Sequence, residues 1–304
     1  MQNYRNNFSG LHAPGYRFRF NIRAISHRAL FLPLQMKQDP AVIRLLNGEN
    51  PCSVFNVSSI NDARRAFNSL RLKYDFPFWA ATQFPILQID DPDRITTLIL
   101  NESQHRIIDV FLKRFFDKQI ARYVITKQTS RIGLTTCVQA YIIWLQIFSC
   151  PKNSNICGAS MFNVDHLKAN IARLFNWQTV PSYKRKLPIV NRFAHSFFNS
   201  FNKPDALRGI DFGYVHLADI SKWHDPDGVR TSRAFVAANS GVLLNHMTFV
   251  AFEGNLPSVK KNPVFLGEIN FANDPHKIKV SYPINVISDY ERSIYDKILK
   301  FLAK

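Results

Sequence analysis

The chain has 304 residues, enough for one large domain or two modest ones. Apolar residues make up 46% and there are only 11 glycines, which excludes a wholly disordered, collagen-like or linker-like protein. Lys and Arg number 39 against 22 Asp and Glu, a formal charge of +17. A surplus of that size favours phosphate-rich partners, because each neutralised phosphate releases counterions; an acidic protein partner or a merely soluble basic surface also fits.

The four cysteines, Cys52, Cys137, Cys150 and Cys157, lack C-x-x-C spacing, which suits a reducing compartment and offers no zinc site. MQNYRNNFSG, at the N-terminus, has no apolar core of the kind a signal peptide needs. Residues 1–70 read as an N-terminal appendage. Within it, GYRFRFNIR (15–23) alternates as a strand would, and DPAVIRLLNG (39–48) predicts a short helix ended by Gly48. SSINDARRAFNSLRLKY (58–74) predicts a second helix, with Ser58 or Ser59 as N-cap and Ile60, Ala63, Phe67 and Leu70 along one side. Pro77 and Pro85 interrupt the aromatic DFPFWAATQFPIL (75–87), which is expected to be irregular. ESQHRIIDVFLKRFF (102–116) returns to helical spacing through Ile107, Ile108, Phe111, Leu112 and Phe115.

From there strands and helices alternate. ARYVIT (121–126) predicts a strand, KQTSRIGL a loop and TTCVQAYIIWLQIF (135–148) a helix. NICGASM (155–161) predicts a strand, and NVDHLKANIARLF (163–175) a helix capped by Asn163. SFFNSF (196–201) and YVHLAD (214–219) follow as strands, SRAFVAANSGVLLN (232–245) as a helix and MTFVAF (247–252) as a strand. This alternation implies an α/β fold: a mostly parallel sheet flanked by helices on both faces, with ligands beyond the carboxyl ends of the strands. The last segment, SDYERSIYDKILKFLAK (288–304), is acidic early and basic late, as the helix dipole favours. The apolar run at 134–150 is at the bottom of the membrane-spanning range. Gln139 and Gln146 lie nearly on one face of it, so it reads as a buried helix. The expected division is an appendage at 1–70, an α/β domain at 71–275 and a helical tail at 276–304.

The loop that opens KQTSRIGLTTCVQ (127–139) has the outline of a phosphate-binding turn. A strand–loop–helix brings backbone N–H groups and a helix N-terminus together, which makes an anion site. Gly133 lets the backbone approach a phosphate, and Thr135 stands where a hydroxyl would reach Mg²⁺. Leu134 takes the place of the usual lysine, so the cation has to come from Lys127 or Arg131. By itself the motif is equally an ordinary turn before a buried helix.

The surrounding residues carry a resemblance. TSRIGLTT (129–136) resembles the deviant Walker A loop of large terminase subunits, the ATP-driven motors that package viral DNA. Arg131 falls at the family's Arg/Gln position, and Lys127 at or one place before its leading Lys. DFPFWAA (75–81) is similar to the family's acidic-aromatic Trp segment, and LILNESQHRII (98–108) to its L-N-x-x-Q segment. TTCVQAYIIWLQ (135–146) resembles S-T-x-V-Q-x-Y-x-x-W-x-Q, and NKPDALRGIDFGYVHLADISKW (202–223) resembles K-P-x-A-x-R-G-x-x-x-x-x-x-H-L-S-E-x-x-x-W. The blocks keep the family's order.

The resemblance implies a P-loop NTPase-like, ASCE-type ATPase that binds ATP and Mg²⁺. Nucleotide binding would fall on Lys127, Gln128, Thr129, Ser130, Arg131, Ile132, Gly133, Leu134, Thr135 and Thr136, with Gln104 at the adenine. Lys127 and Arg131 would neutralise phosphate charge, Asp219 would activate the attacking water, and Thr135 would hold the magnesium. Asn255 would stand near the coupling position, and Arg208 would be a second cation. Two departures bear on catalysis: the acidic strand ends in Ala218-Asp219 rather than an acidic pair or Ser-Glu, and the coupling segment MTFVAFEGN (247–255) lacks its hydroxyls. Hydrolysis that is slow or lost, with binding retained, is therefore left open.

Each residue also has a plain alternative. Lys127 fits a solvated strand end, Asp219 a cap on ISKW, Arg208 a pair with Asp205 or Asp211, and Gln104 a helix surface. His216 alternates with apolar neighbours and reads as structural. KRK (184–186) and KK (260–261) fit solvated loops or contacts to a DNA backbone. After Asn255 there is too little chain, with acids only at Glu268, Asp274, Asp289, Glu291 and Asp296, for the nuclease domain of a complete large terminase.

The expectation is thus an ATPase half alone, whether a split product, a truncated copy or a paralogue. It would translocate duplex DNA at the procapsid portal of a bacteriophage in the host cytoplasm, with no membrane involved. It would work as a homo-oligomeric ring with the portal, the small terminase subunit and a separate nuclease. The alternatives are a hydrolysis-deficient relative that binds nucleotide or DNA as a regulatory or structural component, and a basic nucleic-acid-binding domain without a nucleotide site.

Overall fold

Two short helices near the start of the described chain begin where a capping side chain, Asp39 or Asn50, precedes a proline. The computed structural model describes residues 32–87, 95–116, 121–127, 133–149, 153–158, 196–200, 212–223, 225, 249–255 and 277–282. They fall in two compact units. One holds the residues up to Phe84 together with Thr97–Leu100; the other holds Pro85–Thr96 and the residues from Asn101 on.

In the first unit, α1 (Leu34–Lys37) precedes α2 (Pro40–Leu46), whose first turn is held by the Asp39 carboxylate accepting from the Ala41 N–H. Gly48 follows at φ +86, just past the helix end, as expected of a C-terminal glycine. Asn50 caps α3 (Pro51–Phe55) through the Cys52 N–H, and Ser59 caps α4 (Ile60–Tyr74) through the Asp62 N–H. The inward faces of these helices bury Met36, Val42, Leu45, Ala63 and Phe67 in one cluster.

Residues 75–87 correct the expectation of irregularity. Phe76–Gln83 is a helix, α5, with Asp75 accepting from the Phe78 N–H and a proline in the first turn. At that position the missing N–H breaks no intrahelical bond and the fixed φ suits the helix. Every residue from Phe76 to Ala81 is buried. Asp75 also accepts from Arg71 at 2.8 Å, and the guanidinium lies 3.9 Å from the centroid of the Phe78 ring.

Strands β1 (Pro85–Leu87) and β2 (Ile95–Thr97) form a two-stranded sheet. In the second unit, α6 (Glu102–Phe116) and α7 (Leu134–Phe148) match their predicted helices within a residue. The main sheet contains β3 (Ala121–Lys127), β4 (Asn153–Gly158), β5 (Ser196–Ser200), β6 (Phe212–Leu217), β7 (Phe249–Asn255) and β8 (Lys277–Tyr282), in the order β5-β4-β6-β7-β3-β8. Every neighbouring pair is parallel. The edge strand β8 was not expected from the sequence.

Both helices lie on one face of this sheet: Phe111 of α6 and Tyr141 of α7 each meet Phe249, and the Gln146 amide donates to Ser154. The other face is buried too, through Val124, Val215 and Leu217, which is characteristic of parallel sheets. Among the described residues no helix is long and apolar enough to cross a membrane; α7 is buried from Cys137 through Gln146. The strand expected at 15–23 and the helices expected at 163–175, 232–245 and 288–304 lie outside the described residues.

Candidate nucleotide site

Strands β6, β7 and β3 are adjacent and parallel, so their carboxyl ends emerge side by side. Lys127, the last residue of β3, is the register partner of Asn255, the last of β7. These two candidate positions therefore come together at the backbone level.

Gly133 stands immediately before α7 with φ +69, and its carbonyl accepts from the Cys137 N–H to start the helix. The backbone conformation favours glycine there, and an added Cβ would lie 2.9 Å from Nε2 of Gln104, whose side chain would have to shift. Gln104 is itself tied down. Its backbone N–H donates to the Asn101 side chain at 2.8 Å, and its Oε1 accepts from the Asn101 N–H at 3.0 Å. This reciprocal cap starts α6 and places its first turn against the glycine bend. Gln104 is buried rather than a helix-surface residue.

Thr135 lies in the first turn of α7 and is half-buried. Its hydroxyl donates to both oxygens of Glu253, at 2.8 and 3.0 Å. Glu253 is fully buried on β7, and its Oε2 lies 2.9 Å from Nε2 of His216, fully buried on β6. His216 is the register partner of Ala251, two positions before Glu253, so all three side chains share the helix-covered face. A carboxylate removed from water costs several kcal/mol unless it is bonded. Here a hydroxyl, an imidazole and the positive end of α7 offset that cost. Burial, and then the charge of Glu253, push the Cys137 thiol one turn along α7 well above its ordinary range.

Glu253 was missed in the sequence reading. The available signal was a lone acid inside the apolar strand FVAFEGN, since a charge in such a setting demands partners.

Asp219 follows β6 in the left-handed region, at φ +51. Its Oδ2 accepts from Lys222 Nζ at 3.0 Å, across the 3-10 turn Ile220–Lys222. It occupies the cap position of that turn, but its side chain makes no capping bond. Ala218 is buried and uses its backbone alone, donating to Cys157 O and accepting from Trp223 Nε1. Leu134 is buried and Thr136 half-buried behind the bend. Gln128, Thr129, Ser130, Arg131, Ile132 and Arg208 lie outside the described residues, as do the basic stretches at 184–186 and 260–261.

No family model matches the chain, and no curated protein matches it. Among solved structures it is similar to the HK97 bacteriophage large terminase, with a TM-score of 0.44 and 14% identity over 73% of this chain and 46% of that one. It is also similar to the large terminase of a thermophilic bacteriophage, at 0.43 and 10% over 64% and 49%. The same thermophilic-phage protein in complex with ADP gives 0.41 and 13% over 64% and 48%. The chain spans about half the length of these structures.

Proposed function

We propose that this chain is the ATPase domain of a terminase-like viral DNA-packaging motor, with a P-loop NTPase-like, ASCE-type core. The observation that carries the reading is the glycine bend: Gly133, held in the left-handed region, opens α7, the helix that follows the interior strand β3 in the chain. That geometry aims backbone N–H groups at an anion. Lys127 and Arg131 neutralise the phosphates in place of the missing lysine, Arg208 adds a further cation, and Gln104 stands at the adenine.

Thr135 fits a magnesium ion, because its hydroxyl hydrogen is committed to Glu253 and its oxygen has acceptor capacity to offer. Mg²⁺ characteristically takes few protein ligands and completes its shell with phosphate and water. When bound, it neutralises charge between the terminal phosphates. Asp219 aligns the attacking water, and Asn255, beside Lys127, links the site to the coupling strand. The basic surplus serves sequence-blind contact with duplex DNA. Portal, small terminase subunit, a separate nuclease and other copies in a ring are the partners, at the procapsid portal in the host cytoplasm.

A second reading is a hydrolysis-deficient relative that binds nucleotide or DNA. It is favoured by Ala218, which brings no polar side chain, and by Asp219, whose carboxylate is engaged by Lys222. One set of measurements separates the two: ATP binding, ATP turnover with and without duplex DNA, and DNA affinity across a salt series. Turnover that is stimulated by DNA and abolished in Asp219→Asn supports the motor. Binding without turnover supports the second reading. DNA binding with no affinity for ATP defeats the motor and every nucleotide-binding reading, and leaves a basic nucleic-acid-binding domain without a nucleotide site.

A further inference from the structure

We propose that Glu253 is a positioning residue for the metal that accompanies the nucleotide: it fixes the Thr135 hydroxyl, and His216 fixes Glu253. The inference rests on the nucleotide-binding reading above and adds a residue to it.

A threonine hydroxyl has one hydrogen and two lone pairs, and it rotates to suit its surroundings. Here the hydrogen lies between two carboxylate oxygens, at 2.8 and 3.0 Å from Oγ1. With the hydrogen so held, the oxygen turns its lone pairs away from Glu253 and presents only acceptor capacity. That state suits a cation. Thr135 remains half-buried, whereas Glu253 and His216 are completely buried, so Thr135 is the accessible member of the chain and the acid acts through it. His216 Nε2, at 2.9 Å from Glu253 Oε2, stops the carboxylate from rotating off the hydroxyl.

The departure at the end of β6 gives this arrangement its purpose. Ala218 contributes no polar side chain, and the Asp219 carboxylate is bonded to Lys222. The acid that orders the Thr135 hydroxyl comes instead from β7, which lies between β6 and the strand leading to the glycine bend. The same carboxylate joins α7, β7 and β6.

The test is the Mg²⁺ dependence of nucleotide affinity in the full chain, read with a fluorescent ATP analogue, alongside thermal unfolding without nucleotide. In the natural sequence Mg²⁺ is expected to tighten binding. Glu253→Gln is expected to lose about tenfold of that gain with Mg²⁺-free affinity unchanged; Thr135→Val is expected to lose the gain as well, while Thr135→Ser retains it. A purely architectural role would instead weaken binding equally with and without Mg²⁺. A folded Glu253→Gln with the full Mg²⁺ gain overturns the inference. Should that variant fail to fold, Glu253→Asp decides the point, because it keeps the charge but withdraws it from Thr135: lost gain supports, retained gain overturns. If the natural chain binds the analogue equally well with and without Mg²⁺, this inference fails and the nucleotide reading stands. If it binds no analogue at all, both fail.

Discussion

Gly133 is the most constrained single residue at the site. Its φ of +69 penalises any side chain, and a methyl group there would press on the Gln104 amide. Gly133→Ala should lower stability by about 1–2 kcal/mol from the left-handed backbone, read as a lower urea midpoint. Two thiols behave differently from a surface cysteine. Burial pushes Cys157 up to about 12 from an ordinary 9.0, and Cys137 higher still. Because the native state holds these protons after the unfolded chain has released them, stability should fall as pH rises above 9. Each thiol contributes about 1.4 kcal/mol per pH unit until its own folded pKa is reached. Denaturation at pH 8 and pH 10.5 checks the sign. At pH 8, alkylation with mass-spectrometric readout should modify half-buried Cys52 but neither Cys137 nor Cys157 in the native protein. The requirement for Gly133 was visible in the sequence because a bend before a helix is a local matter. Glu253 was not, since its bonded partners lie 118 and 37 positions away.

At the level of elements, the helix starts show how much one side chain can carry. Ser59 caps α4 from a half-buried position, and Ser59→Ala should cost about 1 kcal/mol. Asp75 caps α5 and also bonds the buried Arg71 guanidinium. Asp75→Ala strips a buried cation of its carboxylate and should cost about 3–5 kcal/mol. Chemical denaturation of the two variants side by side checks the difference. Ser59 was legible as a cap because its role involves only the next few residues. The helix at Phe76–Gln83 was not, because Pro77 breaks a helix interior but starts a helix when an acid precedes it. Burial of that helix on nearly every side also removed the amphipathic period that marks surface helices.

For the molecule as a whole, ligand linkage gives the broadest test. A nucleotide that binds only the native state at one hundred times its dissociation constant should add about 2.7 kcal/mol, or roughly 5 °C in melting temperature. Thermal scans with ATP and Mg²⁺ check this, with magnesium alone as control. Alternating strands and helices were enough to anticipate a mostly parallel sheet, since each segment's period reflects its own covered faces. Strand order was beyond reach from local pattern. Nothing near residue 253 says that β7 inserts between β6 and β3, or that β8 closes the edge beside β3. Local chemistry placed the glycine bend, the helix caps and the strands that run toward the site. Long-range pairing alone brought Glu253 under Thr135 and His216 against Glu253, because a buried carboxylate is stable only where distant parts of the chain converge to supply its hydrogen bonds.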